Sequence, residues 1–355
     1  MIDEYRKLID EIDEKILELL NKRAELAIEI GKEKLKSNSS FIDISREEMK
    51  VKQLIELNKG PIPDASVRNI FREIISSSRA LEGTLKIAFL GPEGTFTHIA
   101  ALKRFGKDTF YFPGRSIPEV FSIVEKEEAL FGVVPIENST EGVVNYTLDM
   151  FMTSPLNIIG EIIIPISHNL IARPDVKEIK KIYSHPQAFG QCKGYLENNY
   201  PDTELIETNS TSKAAEMASK DQNSAAIASD VAAERFNLEV LASRIEDDPN
   251  NRTRFLIIGR NNEGRVTGKD KTMVMFSTAH KPGSLYNALR CFAENDINLT
   301  MIQSRPSREV LWEFVFFVEF QGHREDTKVK EALNSLREIV WSYRILGSYP
   351  EDSLL

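Results

Sequence analysis

Cysteine is nearly missing from this 355-residue chain: there are two, Cys192 and Cys291, far apart and in no CxxC or metal-ligand spacing. That scarcity argues against a disulfide framework or a cysteine-built metal site and points to a reduced, cytoplasmic setting with both thiols packed. Long apolar runs are missing too, since nothing approaches the roughly 18 consecutive apolar residues of a membrane helix. The opening residues, Met1-Ile2-Asp3-Glu4-Tyr5-Arg6, lack the apolar stretch of a secretory leader. Neither a Walker motif nor a G-x-G-x-x-G occurs, which disfavours a nucleotide ligand or cofactor. Positive charge is not in surplus, because 45 Lys and Arg against 54 Asp and Glu leave a net charge of −9. That balance argues against a broad nucleic-acid surface but leaves room for local cationic pockets.

What is present is ordinary for a globular chain, 41% hydrophobic and 28% charged. The length predicts two or three domains, and the pattern changes twice, defining regions 1–82, 84–262 and 271–355. In the first, Leu8, Ile9, Ile12, Ile16, Leu19, Leu20, Leu26, Ala27 and Ile30 recur at helical spacing. They predict one long helix to about Lys36, a second helix capped by Ser45 with Glu48, and a third starting at Asp64. So long a helix with two short partners cannot cover its own apolar stripe, which predicts an intertwined dimer.

From "LKIAFLGPEGTF" onward, short apolar strands alternate with helical stretches in an α/β rhythm. The last region reads strand, helix, strand, strand, helix, strand, the βαββαβ order of a ferredoxin-like α+β fold.

Helical geometry puts Arg23 and Lys34 on nearly one face, about three turns apart. Arg6 is displaced from Arg23 by about 25 Å, so in a dimer it would serve the partner's pocket. Asp43, Arg46 and Glu47 cluster at the start of the second helix, and Ser78 and Glu82 share a face of the third through i,i+4 spacing. Together "RKLIDEIDEKILELLNKRAELAIEIGKEK", "FIDISREE" and "IISSSRALE" resemble the all-helical chorismate mutase family. The resemblance implies site roles for Arg6, Arg23, Lys34, Asp43, Arg46, Glu47, Ser78 and Glu82. Chorismate is a dicarboxylate that rearranges in one pericyclic step, needing only a held conformer and stabilised charge on its ether oxygen. Arg23 and the partner's Arg6 would clamp carboxylates, Lys34 would donate to the ether oxygen, and Glu47 would accept from the hydroxyl. Well-known bacterial members carry Gln where this chain has Glu82. A carboxyl donates only when protonated, so mutase activity is expected to fall as pH rises.

The middle region carries five polar segments at strand ends: "GPEGTFTH", "VVPIENSTEGVV", "YSHPQAFGQC", "NSTSKAAE" and "NRTRF". Each alone reads as a turn with a helix cap able to bind an anion. In this order they resemble prephenate dehydratase, whose Thr-Arg-Phe signature stands here as Thr253-Arg254-Phe255. The resemblance implies two α/β lobes around a cleft, as in periplasmic binding proteins, with Thr253 as the principal catalytic residue. It also places Glu137, Asn138, Ser184, Gln187, Gln191 and Thr211 at the cleft. Prephenate loses carbon dioxide and its ring hydroxyl together, so the departing hydroxide needs a proton or a strong hydrogen bond. In an extended segment Thr253 points opposite to Arg252 and Arg254, and one of those arginines would hold a substrate carboxylate or the lobe interface. His185, in a His-Pro turn, reads as structural, and Asn209 has no acid role.

The last region, "KPGSLYNALRCFAENDINLTMIQSRP", resembles the ACT regulatory domain attached to these dehydratases. The resemblance implies that phenylalanine binds through Gly283, Ser284, Leu285 and Tyr286 and through Ser304, Arg305 and Pro306. Two changes in the first segment and a lost acid in the second leave its affinity open.

The leading expectation is a bifunctional, phenylalanine-inhibited enzyme of phenylalanine biosynthesis that needs no cofactor or metal, acts on chorismate and prephenate, and forms a homodimer or homotetramer. One alternative is a dehydratase whose helical region only dimerises. Another is a non-catalytic, amino-acid-responsive binding protein.

Overall fold

The computed structural model describes residues 1–37, 43–82, 85–260, 264–307 and 313–352. The expected boundaries at residues 84, 262 and 355 lie outside those described. The chain divides into two compact units, Met1–Lys86 with Arg104–Phe110, and Ile87–Lys103 with Tyr111–Leu354.

The first unit holds α1 (Ile2–Ser37), α2 (Ile44–Leu57) and α3 (Asp64–Glu82). Asp3 and Glu4 in the first turn of α1 and Lys34 and Lys36 in its last complement the helix dipole. Gly31 lets α3 come close, since a Cβ there would collide with the backbone of Glu82. The cap of α2 differs from expectation. Asp43, not Ser45, accepts from the Arg46 backbone N–H at 2.9 Å, Ser45 is buried, and Glu48 pairs with Arg68 and Arg72 instead. Two residues suited to capping lie close together, and the one with its carboxylate three residues before a bare N–H prevails.

From Lys86 the chain builds three sheets. Strands β1 (Lys86–Leu90), β2 (Phe110–Gly114), β3 (Phe131–Asn138), β4 (Gly142–Val143) and β5 (Asn157–Pro165) are interleaved with α4 (Phe96–Phe105), α5 (Ile117–Glu125) and α6 (Asn145–Thr153). The chain crosses into a second lobe of β6 (Asn169–Ala172), β7 (Lys181–Ser184), β8 (Glu204–Glu207), β9 (Ser224–Ala228) and β10 (Glu239–Ala242), with α7 (Pro186–Gln191), α8 (Lys193–Asn199), α9 (Thr211–Ala218) and α10 (Asp230–Phe236). It then returns as β11 (Arg252–Gly259), antiparallel between β3 and β5. The first sheet therefore runs β2-β1-β3-β11-β5, with β4 on β3, and the second runs β10-β6-β9-β7-β8. Two crossovers, β5 to β6 and β10 to β11, give the expected pair of lobes.

The third sheet, β13-β14-β12-β15, is formed by β12 (Asp270–Ser277), β13 (Leu299–Pro306), β14 (Phe314–Gln321) and β15 (Ser342–Pro350), with α11 (Ser284–Ala293) and α12 (Thr327–Ile339). That is the expected βαββαβ arrangement. The sheet shares one apolar core with the first lobe, where Met273, Phe317, Leu346 and Tyr349 meet Ile158, Leu256 and Ile258. Close approach is possible because Gly347 offers no Cβ to collide with the Ile158 carbonyl. Both cysteines are buried and free.

Candidate active sites and a candidate regulatory cavity

In the helical unit the α1–α3 seam gathers four of the eight expected residues. Arg23 Nη1 donates to Ser78 Oγ and to the Ile74 carbonyl, the latter at 3.2 Å. Further along the same seam, Lys34 Nζ lies 2.7 Å from Glu82 Oε2. Glu47 is drawn elsewhere, 3.4 Å from both Arg79 Nε and Arg104 Nη2, in the same compact unit. Asp43 caps α2, Arg46 is exposed, and Arg6 is exposed beside Asp3. Many large apolar side chains of α1, among them Leu8, Ile12, Ile16, Leu19 and Leu26, are exposed.

In the second unit a cavity of about 250 Å³ opens between the lobes, lined by Asn138, Gln187, Gln191, Thr211, Thr253 and Phe255 of the expected set. Alternation along β11 turns Thr253 and Phe255 to the cavity and Arg254 away from it. On β3 the register slips opposite Arg254–Phe255. This bulge lets Asn138 and Pro135, an odd number of residues apart, both face the cavity.

Among the described residues, no Lys or Arg lines this cavity. Instead α4, α7 and α9 all begin at its wall, through Thr95 and Phe96, His185 and Gln187, and Ser210 and Thr211. The starts of α4 and α9 carry N–H groups without intrahelical partners, so they favour an anion without a side-chain cation, whereas α7 opens on Pro186, which has no N–H. His185 also caps α7, accepting from the Gln187 N–H.

The remaining expected residues lie off the cavity. Ser184 is fully buried and donates to the Ile227 carbonyl at 2.9 Å. Arg252 Nη1 donates to the carbonyls of Pro249 and Asn251. Arg254 is enclosed by carboxylates: Glu137 at 3.0 Å, Glu161 at 3.2 Å and, in the third sheet, Glu319. Burial works against its charge, but Glu319, Tyr349 and Glu161 outweigh it and hold the guanidinium charged. Lys271 pairs with Glu161 at 2.9 Å, and Tyr349 donates to Glu319 at 2.7 Å. The arginine next to Thr253 thus grips the C-terminal sheet.

Sequence reasoning missed His168 and Asn251. His168 is buried, lies on the cavity wall and has its ring nitrogen Nε2 2.8 Å from Gln191 Oε1. Asn251 Nδ2 donates to the same oxygen at 3.0 Å, while Asn138 Nδ2 donates to Asn251 Oδ1 and to Thr253 Oγ1, both at 2.8 Å. The only local signal was polar density before β11.

A second cavity, of about 370 Å³, lies at the start of α11 and is lined by Thr278, His280, Ser284, Leu285, Glu313 and Phe316 among others. Gly283 takes φ +83° there, a conformation costly for other residues, and the buried Ser284 Oγ has no hydrogen-bond partner among the described residues. Tyr286 is exposed. Ser304, Arg305 and Pro306 lie on β13, and Arg305 makes a bidentate pair with Asp149 of α6 at 2.7 and 3.0 Å.

Comparison with known proteins matches residues 5–83 to the family model "Chorismate mutase type II", 87–263 to "Prephenate dehydratase" and 272–338 to "ACT domain". The chain is 46% identical to a bifunctional chorismate mutase/prephenate dehydratase of Aquifex aeolicus, over 99% of both chains. It is 44% identical to one of Pseudomonas aeruginosa, over 98% of this chain and 97% of that one. Among solved structures, a prephenate dehydratase from Arthrobacter aurescens in complex with L-Phe superposes with a TM-score of 0.71 at 36% identity, covering 75% of this chain and 90% of that one.

Proposed function

This chain belongs to the bifunctional chorismate mutase/prephenate dehydratase family, and on that premise we propose that it performs both reactions under phenylalanine control. The helical unit converts chorismate to prephenate, and the Thr253 cavity converts prephenate to phenylpyruvate.

For the dehydratase, one observation carries the reading: Thr253 Oγ1 accepts from Asn138 at 2.8 Å on the wall of a cavity that no Lys, Arg, Asp or Glu among the described residues lines. A hydroxyl that accepts there is polarised, and its own proton is available to the substrate. As the C–CO2 bond breaks, its electron pair enters the ring and expels the hydroxyl. The Thr253 O–H, directly or through a water, meets the leaving oxygen as charge develops on it. The starts of α4 and α9 supply N–H groups for the carboxylates.

For the mutase, Arg23 and Lys34 project toward α3 beside Ser78 and Glu82, supporting a carboxylate clamp and an ether-oxygen donor. The exposed apolar stripe of α1 supports a homodimer, in which the partner's Arg6 completes the pocket. For regulation, the cavity at Gly283 and Ser284 suits an amino-acid carboxylate, and Glu319 and Arg305 tie that sheet to the catalytic lobe.

Supplying chorismate and following prephenate and phenylpyruvate separately tests the reading. Arg23→Ala should abolish only the first step and Thr253→Ala only the second. If wild type dehydrates prephenate but leaves chorismate untouched, the helical unit serves only in assembly.

A further inference from the structure

Behind Thr253, four side chains form a hydrogen-bond chain whose polarity is determined at one end; Asn138, Asn251 and His168 are buried, and Gln191 reaches the cavity. Asn138 Oδ1 accepts from the backbone N–H groups of Thr140 and Glu141, both at 3.0 Å. Backbone amides only donate, so the Asn138 carboxamide has one orientation and its Nδ2 must donate. Its two 2.8 Å contacts go to Asn251 Oδ1 and Thr253 Oγ1. The Arg252 carbonyl, at 3.1 Å, already accepts from Ser139. Asn251, accepting through Oδ1, must then donate through Nδ2 to Gln191 Oε1 at 3.0 Å. Since Gln191 Oε1 is an acceptor, the ring nitrogen of His168 2.8 Å away must carry a proton.

Two consequences reach the cavity. Thr253 Oγ1 is committed as an acceptor, so its hydrogen points away from Asn138. Gln191 Oε1 is held by two donors from behind, so its Nε2 hydrogens are left for the cavity it lines. We infer that Asn251 and His168 are positioning residues of the dehydratase reaction, holding Gln191 with its amide N–H₂ toward the substrate so that the cavity presents donors. This deepens the dehydratase reading and rests on it. The arrangement matters here because no Lys or Arg among the described residues lines the cavity. A flipped Gln191 would set a carbonyl oxygen against a carboxylate or departing hydroxide with no cation to offset it.

Asn251→Asp tests this with almost no change of shape. When ionised, the introduced carboxylate still accepts from Asn138 but has no donor for Gln191, so Gln191 turns its N–H₂ away from the substrate and toward that carboxylate. When protonated, the introduced carboxyl donates and restores the original polarity. The titratable and charged groups around this position are His168 beyond Gln191, Glu246 accepting from the His168 backbone, Asp247 and Asp248 in the preceding turn, Arg252 beside it, and His185 on the cavity wall. Because some of these titrate in wild type, the readout is the ratio of variant to wild-type kcat/KM at each pH, with prephenate as substrate and the full chain as enzyme.

The expected ratio is down about 10²-fold at pH 8 and recovers by at least about tenfold toward pH 5.5, while chorismate turnover, the folding control, stays at wild-type level. A ratio constant with pH, or near one throughout, overturns the inference. Should Asn251→Asp fail to fold, His168→Leu and His168→Gln give a second test. Leu removes the donor and is expected to raise KM and lower kcat, and Gln, which restores an N–H near the same place, is expected to recover most of the loss. Equal loss in both overturns the inference. Failure of wild type to dehydrate prephenate would instead sink the dehydratase reading itself.

Discussion

At the residue scale no Lys, Arg, Asp or Glu among the described residues lines the Thr253 cavity, which makes the orientation of its polar groups the decisive variable. Burial holds the His168 imidazole below the usual histidine range, against weaker opposing pulls from Gln191 and Glu246. A lowered value in the folded state means that the unfolded chain takes up the proton first. The neutral-His168 contribution is therefore fully present above about pH 6.5 and is lost as pH falls through the folded value. His98 is lowered too, chiefly by burial. Urea midpoints measured from pH 7.5 to 5 should fall, and His168→Gln should make the slope shallower. An identical slope would mean that His168 does not titrate differently in the two states.

At the element scale β11 joins the Thr253 cavity to the C-terminal sheet. Its alternation sends Thr253 to the cavity and Arg254 into a cluster with Glu161, Glu319, Lys271 and Tyr349, on both sides of the junction with the third sheet. Burial pushes the Glu161 carboxyl up, only partly opposed by Lys271 and Arg254. For Glu319 the same burial is outweighed by Arg254 and Lys271, and its carboxyl is held below the usual range. Glu319→Ala leaves Arg254 with Glu137 and Glu161, so it should cost less than the ~3–5 kcal/mol of a fully stranded buried charge. Arg254→Met, which takes the cation from Glu161 and Glu319 together, should cost more, and the double variant clearly less than the sum. Chemical denaturation measures all three, and additive losses would show that the pair is not coupled. If β14 conveys regulation to β11, Glu319→Gln should also weaken phenylalanine inhibition.

At the scale of the whole molecule, α1 poses the outstanding requirement. Ile12 and Ile16 are 53% and 49% exposed on a 36-residue helix, which is costly in water unless a second copy covers the stripe. Ile12→Lys with Ile16→Lys should yield a smaller species by sedimentation and reduce mutase kcat/KM by more than about 10²-fold, because the partner's Arg6 is lost. Dehydration of prephenate should survive. A double variant of unchanged size with normal mutase activity would refute the dimer.

Much of this was determined by sequence alone, wherever the governing interaction is local. Helical periodicity marked α1 to within a residue of its end. The βαββαβ order was legible from strand and helix patterns, and period two put Thr253 opposite its flanking arginines. Tertiary structure decided what depends on residues distant in the chain. The two lobe crossovers bring His168 to Gln191 and Asn251 to Asn138, contacts that no local pattern encodes. The bulge on β3 sets which side chains of that strand face the cavity. Arg254 turned out to grip Glu319, and Glu47 to lie with Arg79 and Arg104, because buried charges settle where folded partners can neutralise them. The orientation of the Gln191 amide is decided by a hydrogen-bond chain that ends on two backbone N–H groups, since polarity belongs to the network and not to any one residue.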